Sequence, residues 1–311
     1  MIERTPLSND EKHYLAEVES FWNTLGPLLQ QKGMVGGGMQ WKTVGGREYL
    51  YRYQPDPVTK KKRSTSVGPR SPETETLHVE FLATRERVRS ELAELAPRID
   101  VLARMGKALR LNRVPNAVTD ILEVLHQAGI LDLVPLAGRH AVEAFEVRYG
   151  LRLDRDDIHG LEDRLEFMVP DDTDLVREMT RAFFRVDPDY RVMDGNMFRG
   201  SEGPDIRLTS HSELVANAQG VLPDEYFDLF LSLLEDDPIT AVAVSKAGRP
   251  VQICAVQPAL WAVVHAVDDG SPGLANAVAA LDPEVDGASR DRIDELIGLL
   301  ADRPDERGPR L

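Results

Sequence analysis

The chain has 311 residues, 42% of them hydrophobic and 29% charged, which is enough apolar material for two domains or for one domain with a helical annex. Its net charge of −15 argues against general coating of nucleic acid or anionic membrane, while leaving room for a local basic patch. Cys254 is the single cysteine, so an intrachain disulfide and a cysteine zinc site are excluded. The first residues lack the apolar core of a signal peptide and no run approaches the ~18 apolar residues of a membrane helix, so a cytoplasmic location without membrane contact is expected.

In chain order, Ser8 to Gln31 reads as a first helix, with Asp10 and Glu11 at its positive end and Leu15, Val18, Trp22, Leu25 and Leu29 at helical spacing. Gly33 and the run Gly36-Gly37-Gly38 stop it; three glycines after a helix make a flexible joint rather than a phosphate loop. Met39 to Tyr53 predicts a β-hairpin turning at Gly45-Gly46, with Tyr49, Tyr51 and Tyr53 alternating behind the turn. Lys60, Lys61, Lys62, Arg63 and Arg70 then cluster in a Pro/Ser/Gly-rich loop, which is either a solvated basic loop or a strap that closes over phosphates or RNA.

Glu73 to Asn112 is helical by composition, divided at Pro97 into an exposed helix pair, and Asn116 to Ala128 is a further helix stopped by Gly129. A strand is expected over Leu131 to Leu136, and helices over Ala141 to Tyr149 and Asp171 to Phe184. Short strands at Leu165 to Val169, Arg191 to Met193 and Ile206 to Leu208 follow the same reading. Pro223 to Leu234 is helical, Ile239 to Val244 and Pro250 to Val256 form a second hairpin, and helices over Ala259 to Val267 and Arg290 to Leu300 close the fold. The tail from Asp302 onward is expected to be disordered.

The stretch Ile130 to Val169 carries the chemistry. An apolar strand ending in Gly138 at a helix start gathers backbone N–H groups and a positive dipole end, a natural seat for phosphate. His140, just past that turn, either touches the phosphate or caps the helix start as a partly buried histidine. Glu162 and Asp163 belong to an acidic cluster ahead of the next strand, and Asp205 opens the strand Ile206 to Leu208 after a glycine-rich approach. Each is either a carboxylate that holds a divalent cation or, for the first two, part of a solvated face and, for Asp205, a loop cap. Cys254 lies in an apolar strand and reads as core, His265 beside Trp261 reads as packing, and no GxSxG supports serine hydrolysis.

Several segments together resemble a bacterial family with the nucleotidyltransferase fold, minimal relatives of polymerase-β-type enzymes. They are YLYRYQ with SVGPRSPETE, then ARMGKALRLNRVPNAVTDILEVLHQAGILDLVPLAGRHAVEAFEVRYGLRL, GPDIRLTS and AVSKAGRPVQICAVQPALWAVVHA. The resemblance implies an α+β fold, with a nucleotidyltransferase-like mixed sheet core, flanking helices and an N-terminal helical and hairpin annex. Residues 1–114 would form the annex, 115–302 the core and 303–311 the tail. It implies that Gly138, Arg139, His140 and Arg164 bind the nucleotide, and that Glu162, Asp163 and Asp205 are catalytic, with Glu162 and Asp205 on Mg²⁺ or Mn²⁺.

The chain departs from the family at three of these places: Arg139 stands where Ser or Thr is expected, Arg164 where a second acid is expected, and His265 where a late Lys is expected. The implied function is transfer of a nucleotidyl group from an NTP to an RNA, protein or small-molecule acceptor by metal-assisted phosphoryl transfer. The alternative is a catalytically degraded member that binds nucleotide or RNA as a regulatory module. Either form would suit one half of a toxin–antitoxin pair.

Overall fold

The computed structural model describes residues 4–55, 61–153, 164–193, 196–268, 272–282 and 285–301. A short strand, β1 (Arg4–Pro6), precedes helix α1 (Asn9–Met34). A capping box starts that helix: the Glu11 N–H donates to the Ser8 hydroxyl, and the Ser8 N–H donates to the Glu11 carboxylate at 2.7 Å. The apolar positions expected of it, Leu15, Val18, Trp22, Leu25 and Leu29, are all buried.

The first hairpin forms as its sequence predicts, from β2 (Gly38–Val44) and β3 (Arg47–Pro55). Gly45 and Gly46 both take positive φ, 58° and 78°, as a primed two-residue turn requires. The basic stretch behind it is not only a loop. Lys62–Pro69 forms β4, antiparallel to β3, because an edge strand tolerates charged side chains facing water.

Helix α2 runs unbroken over 37 residues, Pro72–Ala108, and is not divided at Pro97 as its sequence predicts. Pro97 removes one helical hydrogen bond, a cost of about 3 kcal/mol or more in a helix interior. Both sides of it are anchored, with Phe81 and Val88 buried before it and Leu102 and Gly106 after it, so packing carries the helix through.

The core sheet falls into two halves. One half is β5 (Asn112–Val114), β11 (Ile239–Ser245) and β12 (Pro250–Ala255), in the order β12-β11-β5. The other is β7 (Arg164–Val169), β10 (Asp205–Ser210), β9 (Met197–Arg199) and β8 (Arg191–Val192), with β7 and β10 parallel. The expected strand Leu131 to Leu136 does not form between them: Leu131–Leu133 is a 3-10 turn, and Pro135 has no N–H to give to a ladder.

What remains is a single-residue seam. Leu136 bridges to Ala255 on one side and Phe167 on the other. Its N–H donates to the Cys254 carbonyl at 2.8 Å, its carbonyl accepts from Val256 at 3.0 Å, and the Ala137 N–H donates to the Glu166 carbonyl at 2.9 Å. Backbone bonds at the seam join the two halves, and one hydrophobic core runs through both.

Helices cover the sheet. These are α3 (Asn116–Ala128), ended by Gly129 as expected, α4 (Val142–Tyr149) and α5 (Thr173–Val186). Behind β7, Phe167 stacks on Phe183 of α5 with 6.2 Å between ring centroids, and Phe198 meets Phe183 edge-on at 5.4 Å. On the other half α1 closes a second core with Val242 and Val244 of β11, and Trp22 donates to the Gln252 side chain at 3.1 Å. Each large side chain buried there contributes about 1.5–3 kcal/mol.

The remaining elements are β6 (Leu151–Leu153), which pairs with β1, and helices α6 (His211–Val221), α7 (Asp224–Glu235), α8 (Pro258–Asp268), α9 (Pro272–Ala279) and α10 (Gly287–Ala301). Among all the elements, β1, β5, β6, β9, α6 and α9 are too short, or too weakly patterned, to be read from periodicity. The architecture is mixed α+β, as expected. Cys254 is fully buried, and burial, with Asp132 adding to it, pushes its thiol up to about 12, which marks it as core. No helix among the described residues is long and apolar enough to cross a membrane. Glu162, Asp163, Lys60 and the expected disordered tail lie outside the described residues.

Candidate functional site

The Gly138 turn differs from its expected form. Gly138 caps a 3-10 turn, Arg139–Ala141, and α4 begins only at Val142. Its backbone is extended, φ −89° and ψ −168°, a conformation open to any residue. Glycine is needed there for space instead. A Cβ at this position would lie 2.9 Å from Cβ and 3.0 Å from Cγ of Glu166.

Helix α8 clamps the same turn from the far side. Trp261 Nε1 donates to the Gly138 carbonyl at 3.0 Å, and His265 Nε2 lies 2.9 Å from the Ala137 carbonyl, which can only accept. The two rings pack with centroids 4.1 Å apart, so His265 packs and positions the turn, in line with its sequence context. His140 is buried, its Nδ1 3.7 Å from the Glu143 carboxylate.

The neighbouring strands supply a charged face by simple alternation. Leu165, Phe167, Val169, Ile206 and Leu208 point into the core. The residues between them point the other way. The parallel register sets Arg164 beside Asp205 and Glu166 beside Arg207, and Met197 follows on β9 next to Arg207. Gly138 lies against Glu166, and Asp205 is one strand over and two residues along, so the two are on the order of 10 Å apart.

Arg164 and Glu166 form a close ion pair, each side chain about 13% exposed. Asp205, 34% exposed, pairs with Arg199 at 3.3 Å, and Arg207 approaches Glu213 at 4.0 Å. The strand-spaced pair at this edge is therefore Arg164 and Glu166. The sequence reading sought it at Glu162 to Arg164, and the signal that identifies Glu166 is its i,i+2 relation to Arg164 on a strand beginning at Arg164.

A loop rigidly held from below delivers Asp205. Burial pushes the Asp187 carboxyl up, but backbone N–H donors from Glu202, Asp189, Gly203 and Ser201 outweigh it and bring it down to about 2. Its Oδ2 accepts from Ser201 at 2.7 Å, Glu202 at 3.0 Å and Gly203 at 3.3 Å, and Oδ1 accepts from Asp189 at 2.9 Å. Tyr190 donates to the Pro204 carbonyl at 2.7 Å, next to Asp205, and burial raises its hydroxyl well above the usual range. Sequence reasoning passed over both residues, because nothing local marks a carboxylate whose partners lie fourteen to sixteen positions away.

Glu162, one of the two carboxylates expected to hold Mg²⁺ or Mn²⁺, lies outside the described residues. Glu166 and Asp205 share a face, where Arg164 pairs with Glu166 and Arg199 engages Asp205. Among the described residues no group of three or more His, Cys, Asp or Glu is arranged to hold a metal ion. What the edge can do is offer guanidinium groups to a phosphate beside a closely packed glycine turn. No protein-family model, curated protein or solved structure matches the chain.

Proposed function

We propose that this is a nucleotidyltransferase-like protein that binds the phosphates of an NTP at the edge formed by Gly138, Arg164 and the start of β10. The observation that carries the proposal is the packing of the Gly138 turn directly on Glu166, which pairs with Arg164, with Asp205 and Arg207 in register beside it. Arg164 stands where the resemblance expects a metal carboxylate, which favours binding through guanidinium groups over cation-dependent binding. Calorimetric titration with the common NTPs, with and without a chelator, tests this. Binding that survives chelation and weakens in Arg164→Ala is the expected result; binding that needs a divalent ion overturns it.

A second reading, transfer of the nucleotidyl group to an RNA, protein or small molecule, rests on Glu166 and Asp205 facing the same side of adjacent strands. Labelled NTPs with Mg²⁺ or Mn²⁺ and a set of acceptors test it. Asp205→Asn removes a half-exposed charge and should change stability by less than about 1 kcal/mol. Under the transfer reading it abolishes pyrophosphate release. Under the binding reading it leaves nucleotide affinity unchanged or raises it, since a negative charge near phosphate is gone.

A further inference from the structure

The three-stranded sheet β2-β3-β4 carries a surface that the NTP site does not use. One of its faces is covered: Leu50 is fully buried, Trp41 meets His78 of α2 edge-on at 5.8 Å, and the Arg52 guanidinium lies 5.7 Å from the Phe81 ring centroid. The register puts the alternate residues on the opposite face. There Tyr49, Tyr51 and Tyr53 stand in a row along β3, flanked by Gln40 and Lys42 on β2 and by Lys62, Ser64 and Ser66 on β4. The three rings are half-buried and the flanking side chains are exposed.

Two properties of this face point to one kind of partner. The first is charge. Residues 38–70 contain eight Lys or Arg against two Asp or Glu, a local net of +6 in a chain whose total is −15, and the register puts Lys42, Arg47 and Lys62 of these on the tyrosine face while Arg52 lies on the covered one. The second is the ring row. Successive tyrosines are two strand residues apart, about 6.8 Å, which is twice the ~3.4 Å step between stacked bases. Lys42 Nζ lies 5.2 Å from the Tyr51 ring and 5.0 Å from the Tyr53 ring, so a cation is already held against this row of π-systems.

We propose that this outer face binds single-stranded RNA. Its bases stack on Tyr49, Tyr51 and Tyr53, while Lys42 and Lys62 move to the phosphates on either side. The choice of RNA over DNA rests on the exposed hydroxyls of Ser64 and Ser66 beside the ladder, which offer partners to ribose 2′-hydroxyls, while Gln40 Nε2 donates to the Tyr53 hydroxyl at 2.6 Å. Duplexes are disfavoured, because their bases are not free to stack on a sheet. The proposal does not depend on the NTP site, which draws on other residues.

The test uses the full chain and fluorescence anisotropy with a labelled, mixed-sequence RNA of about 12 nucleotides at roughly 50 mM salt. The same-sequence DNA, the RNA duplex and polyglutamate serve as competitors. Single-stranded RNA should bind, and Tyr51→Leu and Tyr53→Leu should each weaken it about fivefold or more, while Tyr51→Phe keeps the ring and the affinity. Lys42→Glu should weaken binding and lower the slope of log affinity on log salt by about 0.7 for a lost phosphate contact. If the leucine variants fail to fold by circular dichroism, Lys42→Glu and its salt slope carry the test. Absence of binding, affinity indifferent to Tyr51 and Tyr53 in folded variants, tighter binding of DNA, or equal competition by duplex or polyglutamate each overturns the proposal. Gly138→Ala should leave this binding unchanged, which separates it from the NTP reading.

Discussion

Asp187 offers a sharp test of how Asp205 is held in place. Its carboxylate is only 4% exposed and gathers four backbone N–H groups, three of them from the loop that leads into β10. Asp187→Asn keeps the shape, but an amide has one oxygen, so either the three loop donors or the Asp189 donor must face an NH₂ group. A carboxyl held at about 2 instead of its ordinary 3.8 corresponds to ~2.4 kcal/mol of folding stability at neutral pH. The loop lies at the surface, where solvent screens part of this, so a loss of about 1–2 kcal/mol is expected.

The sign of the pH dependence follows from the lowered value. The contribution is complete above the unfolded value of 3.8 and is lost as pH falls toward about 2. Urea unfolding of wild type and Asp187→Asn should therefore differ equally at pH 7 and pH 5, with the gap reduced to about half near pH 3. A gap below ~0.5 kcal/mol at neutral pH, or one constant down to about pH 3, would refute the reasoning and leave Asp205 held by other contacts.

Gly138→Ala forces a methyl against Cβ of Glu166, on a strand with little freedom to move, and should cost about 1–3 kcal/mol in thermal or urea unfolding. It should also weaken NTP binding; an unchanged melting temperature would mean that the turn is not closely packed. For the Arg164–Glu166 pair, a double-mutant cycle through Arg164→Met and Glu166→Gln should give a coupling of about 0.5–3 kcal/mol. Additive effects would show that the two side chains do not act as a unit.

Local signals in the sequence determined a large part of this protein. The start of α1 at Ser8 and Glu11, the turn at Gly45-Gly46, the end of α3 at Gly129, the hairpin β11-β12 and the burial of Cys254 depend on caps, turn glycines and periodicity. Those forces act within a few residues and can be read in a few residues. The tertiary structure alone decided the features that need a partner from afar. Pro97 stays helical because Phe81 and Leu102 anchor both sides of it, and Lys62–Pro69 becomes a strand because β3 offers an edge. Leu136 stands alone as a seam because Ala255 and Phe167 approach it from opposite sides. The site edge is of this second kind. Arg164 meets Asp205 through a parallel register between strands about forty residues apart, and Gly138 matters through its contact with Glu166 rather than through its own backbone angles. A parallel pair is joined by a long crossover, so no short window of sequence contains both of its strands, and only the packed sheet sets their register.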